Sequence, residues 1–383
     1  MIRITSDVEC GNGKEIERLA VDRFRLQVDG DKQSGYCGYF CFDIINEGPQ
    51  ADVTIELWED AKFGGLTGFH SLFPTTVWFK PVDFHRYRPL PSAPPRCEKD
   101  HAIFTVPVEQ DQHVRVAMTY VAPYSEIAES LRHLTAERGD RCALFSVGTT
   151  VQGREILGLR AGTPGKPKLF CVAGQHPHEH AGVWGVLGIA DFMSSLLPEA
   201  AALRDQLDVF VVPTVNPDGN VLGRNAFNAE GFDMYQAFGD NPDADLPEAH
   251  ESRLLWEWVT SELPTLWMNF HCYTGWRLNS EFPYDGWYEV EDYGLFSDPA
   301  QRRLYAALCD TLRLETDAPS THERASIHQP NTLCYQFAKR FDLPHAFYEI
   351  NNGTAGKHLG TQRALHVFKR VTNTLLHYVQ YDE

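Results

Sequence analysis

The stretch KLFCVAGQHPHEHAGVWGV, residues 168–186, decides how the larger part of this chain is built. Leu169 to Ala173 is an apolar run of strand length, and AGVWGVLGIADFMSSL (181–196) reads as a helix. Between them, GQHPHEHAG crowds three histidines and a glutamate around Pro177, which removes a backbone donor and favours a break. Open α/β sheets place ligands at such strand-to-helix connections, outside the carboxyl ends of the strands.

The alternation extends in both directions. SEIAESLRHLTAERG (125–139) spaces Ile127, Ala128, Leu131 and Leu134 as one helical face. Strand candidates follow at DVFVVPTV (208–215), TLWMNF (265–270) and HAFYEI (345–350). Helical patterns lie at HESRLLWEWVTSEL (250–263), QRRLYAALCDTLR (301–313) and TQRALHVFKRVTNTLLHYV (361–379). Strands alternating with helices predict an α/β sheet covered by helices. The first third differs. YCGYFCFDI (36–44), ADVTIELWE (51–59), HAIFTVPVE (101–109) and HVRVAMTYV (113–121) are short, β-branched and aromatic, as in an antiparallel sandwich. RPLPSAPPR (88–96) is too proline-rich for a central strand and reads as a loop. The change of pattern predicts two domains, a β-sandwich over 1–124 and an α/β domain over 125–383.

Composition narrows the function. Among 383 residues, Asp and Glu number 52 against 34 Lys and Arg, a formal net charge of −18. No basic cluster offsets this, which argues against nucleic acid as a partner. No apolar stretch approaches membrane-spanning length, and the N-terminus lacks a signal-peptide layout. Nine cysteines without paired spacing suggest reduced thiols in a cytoplasm. No membrane partner is expected.

The donors in GQHPHEHAG allow two ligand sets. In extended backbone, His176, His178 and His180 would share a face. In a turn entering a helix, His176 and Glu179 would converge instead, and Pro177 favours this second reading. A hydrolytic zinc site takes about three protein ligands and keeps a position open. The third candidate is His271, at the end of the apolar strand TLWMNF, the same structural address as His176. A base is also needed, and Glu349 ends a third apolar strand in HAFYEINNG. A carboxylate there is costly to bury without a partner or a task.

These elements in order resemble the zinc carboxypeptidases of the M14 type: HxxE (176–179), NPDG (216–219), G-x-D (231–233), a strand ending in His271 and one ending in Glu349. The β-rich first third leading into APYSEIAESL (122–131), and GTTVQGREILGLRAG (148–162), resemble the cytosolic branch of that family. The resemblance implies a mixed-sheet α/β catalytic domain behind the sandwich, with His176, Glu179 and His271 as zinc ligands. It implies Glu349 as general base towards water, and Asp233 holding a ligand histidine by its other ring nitrogen. A peptide or acyl-amino acid would be the substrate.

The chain departs from the family where substrates are recognised. Against R-x-N-x-x-G-x-D-L-N-R it reads AFNAEGFDMYQ (226–236). Ala226 replaces the oxyanion-stabilising arginine, and Tyr235 and Gln236 replace the Asn-Arg pair that clamps a terminal carboxylate. Neither Tyr nor Gln supplies charge. Arg224, two positions before Ala226, and Arg277, near His271, are substitute candidates, with Tyr235 as a pocket wall. The expectation is therefore a zinc amide hydrolase of carboxypeptidase type. The alternatives are an amidase or deacylase that ignores a free C-terminus, and a non-catalytic binding protein on the same fold.

Overall fold

A computed structural model describes residues 1–31, 38–58, 76–91, 96–97, 101–273, 285–290, 292–315, 329–351 and 356–381. The N-terminal strands are β1 (Ile2–Thr5), β2 (Lys14–Arg18), β3 (Arg23–Gln27), β4 (Cys41–Asn46), β5 (Ala51–Trp58), β6 (Trp78–Pro81), β7 (Arg88–Pro89), β8 (Arg96–Cys97), β9 (His101–Val108) and β10 (His113–Ala117). They form two sheets, ordered β1-β4-β10-β6-β7 and β2-β3-β5-β9-β8. Strand β9 shows why: Ala102, Phe104, Val106 and Val108 point inward while their neighbours are half-exposed, a period of two with one buried face. They meet Phe42, Ile44, Val114 and Val116 of the first sheet in a common core. The sandwich expected from sequence is present, with one correction. Strand β5 lies parallel to β3, not antiparallel. Between them the chain crosses to the other sheet as β4, so it re-enters in the same direction. Among its described residues the proline-rich run contributes to the two-residue strands β7 and β8, each at a sheet edge, where proline costs no ladder bond.

The remainder contains α1 (Tyr124–Arg138), β11 (Ala143–Thr149), β12 (Glu155–Gly162), β13 (Lys168–Ala173), α2 (His180–Ser194), α3 (Pro198–Gln206), β14 (Asp208–Val212), α4 (Pro217–Val221) and α5 (His250–Glu262). Then come β15 (Leu266–Tyr273), β16 (Gly286–Tyr288), α6 (Pro299–Glu315), α7 (Leu333–Phe341), β17 (His345–Asn351) and α8 (Lys357–Tyr381). The seven strands run in the order β11-β12-β14-β13-β15-β17-β16. The central four are parallel and the flanking ones antiparallel. One face, through Leu169, Cys171, Met268 and Phe270, packs on α1, α2, α3, α6 and α8. The other, through Phe170, Val172, Trp267 and Phe347, packs on α5 and α7. Helix α2 is buried on nearly all sides, as its uniformly apolar sequence requires. Among the described residues, no single helix is long and apolar enough to cross a membrane.

Candidate metal centre

Strands β13, β15 and β17 are adjacent, so the three chain ends singled out in the sequence are neighbours. His271 and Glu349 prove to lie within their strands and are direct register partners across the β15–β17 ladder. Parallel neighbours in register project their side chains to the same face, here the one covered by α5 and α7. Cys272 points to the opposite face, where its Sγ accepts from Gly182 N–H at 3.0 Å.

Past Ala173 the chain turns at Gly174, whose φ is +69°. A Cβ at this position would meet Thr214 Oγ1 at 2.8 Å, so conformation and space both select glycine. Glu179 N–H closes a tight turn onto the His176 carbonyl at 3.2 Å, and Glu179 occupies the N-cap of α2. The turn places His176 Nδ1 2.9 Å from Glu179 Oε1, and His271 Nδ1 lies 2.9 Å from Glu179 Oε2. One donor atom each from His176, Glu179 and His271 lies within 4.8 Å of the other two. Both outer ring nitrogens face oxygen acceptors: His176 Nε2 lies 3.3 Å from Asp233 Oδ1, and His271 Nε2 lies 2.8 Å from Gln175 Oε1. Two imidazoles anchored by Nε2 with Nδ1 turned toward a shared carboxylate fit a zinc ion.

The alternative set of three alternating histidines does not converge. His178 Nδ1 is bonded to the Asn225 carbonyl. His180 accepts from Ala122 N–H through Nδ1 at 3.2 Å, and its Nε2 meets Tyr39 Oη at 3.3 Å. Burial, reinforced by His178, pulls the His180 pKa down to about 3, keeping the ring neutral and able to accept. These two histidines fasten elements around the turn.

The two converging histidines are electrostatically unlike. Burial opposes charge on His176, but the carboxylates of Glu179 and Asp233 outweigh it and raise its pKa well above the imidazole range. For His271 burial prevails over Glu179, and the pKa falls. Besides Glu179, His176 has the Asp233 carboxylate at its Nε2, whereas His271 has a neutral amide there and is repelled by His176. Burial also opposes the charge of Asp233, yet His176 and the backbone N–H groups of Tyr235 and Gln236 lower its pKa.

The remaining sequence candidates separate. Tyr235 is buried, its ring centroid 5.3 Å from that of His271 and 6.3 Å from that of His176, so it walls the centre. Arg224 lines a cavity of ≈ 290 Å³ with Ser6, Asn12, Lys14 and Asp29, residues of the N-terminal region. Arg277 lies outside the described residues. The Ala226 position is held by an acid: Asp31 accepts from the N–H groups of both Ala226 and Phe227. Phe227 in turn bridges to Asp233. Sequence reasoning missed Asp31, Gln175 and Asn269, because each acquires its role only across the fold.

Three strands, a His-x-x-Glu turn and a distant histidine define the metallocarboxypeptidase class of hydrolase. The family model for zinc carboxypeptidase, Peptidase_M14, matches residues 127–324, and the chain belongs to that family. Relatives include Cytosolic carboxypeptidase 1 of Danio rerio, 28% identical over 109 residues, covering 28% of this chain and 9% of the relative. Cytosolic carboxypeptidase 2 of Xenopus tropicalis is 26% identical over 179 residues, 44% of this chain and 18% of the relative. The matches thus span less than a fifth of these relatives. A metallo-carboxypeptidase structure from Burkholderia cenocepacia superposes with a TM-score of 0.78 at 18% identity, covering 100% of both chains. That likeness concerns the fold, including its N-terminal sheets.

Proposed function

We propose that the protein is a zinc-dependent amide hydrolase in which His176, Glu179 and His271 hold the metal and Glu349 is the general base. The single observation that carries this reading is the ladder pairing of His271 with Glu349 beside the three converging donors. Zinc bound there supplies a Lewis acid that polarises a carbonyl and lowers the pKa of a water to about 7. Glu349 takes a proton from water, the oxygen adds to the amide carbon, and the same carboxyl returns the proton to the leaving nitrogen as the C–N bond breaks. Asp233 keeps His176 oriented, and Tyr235 closes one side of the site. The catalytic unit in this reading is 125–383, with 1–124 docked against it.

The test is cleavage of acylated amino acids and peptides by zinc-loaded protein, with and without chelator. Glu349→Gln is expected to lower kcat by about 10²–10⁴-fold, the usual worth of a general base, while zinc stays stoichiometric. Activity near wild type in that variant would remove Glu349 from the role.

A second reading concerns the substrate and is favoured by Asp31. Where the family places an arginine, the backbone of Ala226 is capped by a carboxylate, and Tyr235 and Gln236 bring no cation. Among the described residues these positions offer no cation to a terminal carboxylate, so a peptide or acyl-amino acid anchored by other groups is the proposed substrate. Matched free-acid and C-amidated substrates are expected to show similar kcat/KM; strict dependence on the free acid would refute this.

A further inference from the structure

Gln175 is fully buried and lies two residues past the end of β13, directly before His176. Its backbone is fixed on both sides, by the turn at Gly174 and by Asn216, whose Nδ2 donates to the Gln175 carbonyl at 3.0 Å. Its side-chain Oε1 lies 2.8 Å from His271 Nε2 and accepts from Asn269 Nδ2 at 2.9 Å. Asn269 and His271 are two residues apart on β15, so they present their side chains to the same face, under the Gln175 amide.

We propose that Gln175 is the positioning residue for the second metal-binding histidine: its amide oxygen keeps the proton on His271 Nε2 and presents a bare Nδ1 to zinc. This rests on the zinc reading above. A neutral imidazole carries one donor and one acceptor nitrogen, and the partner of one nitrogen decides the state of the other. An oxygen against Nε2 selects the tautomer that can ligate through Nδ1. A primary amide could equally offer its NH2 group, which would select the wrong tautomer. In the orientation with Oε1 toward His271, the Asn269 NH2 donates to the same oxygen, so that oxygen lies between two donors. Asn269, Gln175 and His271 thus form one hydrogen-bonded chain. The amide orients its histidine without adding another negative charge beside Glu179 and Asp233.

The test is zinc affinity, measured by chelator competition on the full-length protein. Gln175→Met keeps the side-chain length and removes the acceptor; zinc is expected to bind about 10–100-fold more weakly, the usual cost of losing such a partner. Gln175→Glu restores an acceptor oxygen, and affinity is expected to recover, a rescue that packing alone would not produce. Should Gln175→Met fail to fold, Asn269→Ala leaves Gln175 in place but frees its amide to rotate, and a smaller loss of affinity is expected. Wild-type affinity in a folded Gln175→Met, or in Asn269→Ala where the former does not fold, overturns the proposal. A wild-type protein that takes up no zinc overturns the zinc reading itself, before any variant is compared.

Discussion

Glu179 shows how much one side chain can organise. Burial alone would drive its proton on, yet His271 and His176 hold its pKa well below the usual carboxylate range. It therefore stays a carboxylate in a nearly dry site and draws both rings to itself. Asp233 extends the same logic outward by gripping His176 Nε2. Asp233→Asn keeps the shape but removes the charge that raises ligand basicity, so zinc affinity is expected to fall about 10–100-fold by chelator competition. His176 and Glu179 were legible in the sequence because a turn into a helix brings positions i and i+3 together. Gln175 was not, since a glutamine beside a metal motif gains meaning only from Asn269 and His271 on another strand.

Among elements, the fastening of α6 to α7 depends on one carboxylate. Asp342, in the left-handed position after α7, accepts from the N–H groups of Ser297 and Asp298 and from Ser297 Oγ, just ahead of α6. Burial opposes its charge, but the Ser297 bonds outweigh it and lower its pKa. A depressed carboxyl pKa contributes stability above the unfolded value of about 3.9, and that contribution fades as pH falls through the lower folded value. Thermal unfolding of wild type and Asp342→Asn should therefore differ most at neutral pH and draw together below about pH 4. The strands and helices of the parallel core were readable because buried parallel strands are short apolar runs set between amphipathic helices. Strands β11 and β12 were less so: ALFSVGT and EILGLRAG lie at the antiparallel flank of the sheet, where β11 is partly solvated and the apolar run of β12 is interrupted by Gly158 and Arg160. The parallel pairing of β3 with β5 was hidden as well, because strand direction depends on where the intervening chain travels.

Across the whole molecule, the N-terminal sheets grip the segment that follows β14. Asn225 accepts from Tyr39 N–H at 2.9 Å and donates to the Asp29 carbonyl at 3.0 Å, while Asn12 donates to the Gly223 carbonyl at 2.8 Å. Asn225 is buried, so Asn225→Ala removes the partner of the Tyr39 N–H, while the Asp29 carbonyl keeps Asn12 Nδ2 at 3.0 Å; a loss of about 1–3 kcal/mol is expected, read as a lower Tm. Asp31 adds a second clasp at Ala226 and Phe227, one bridge away from Asp233 and hence from His176. Through that route the β-sandwich serves as part of the scaffold on which an ion is held. Loosening the Asp31 clasp would then reach the ion through Asp233, so retention of the ion reports on that one seam.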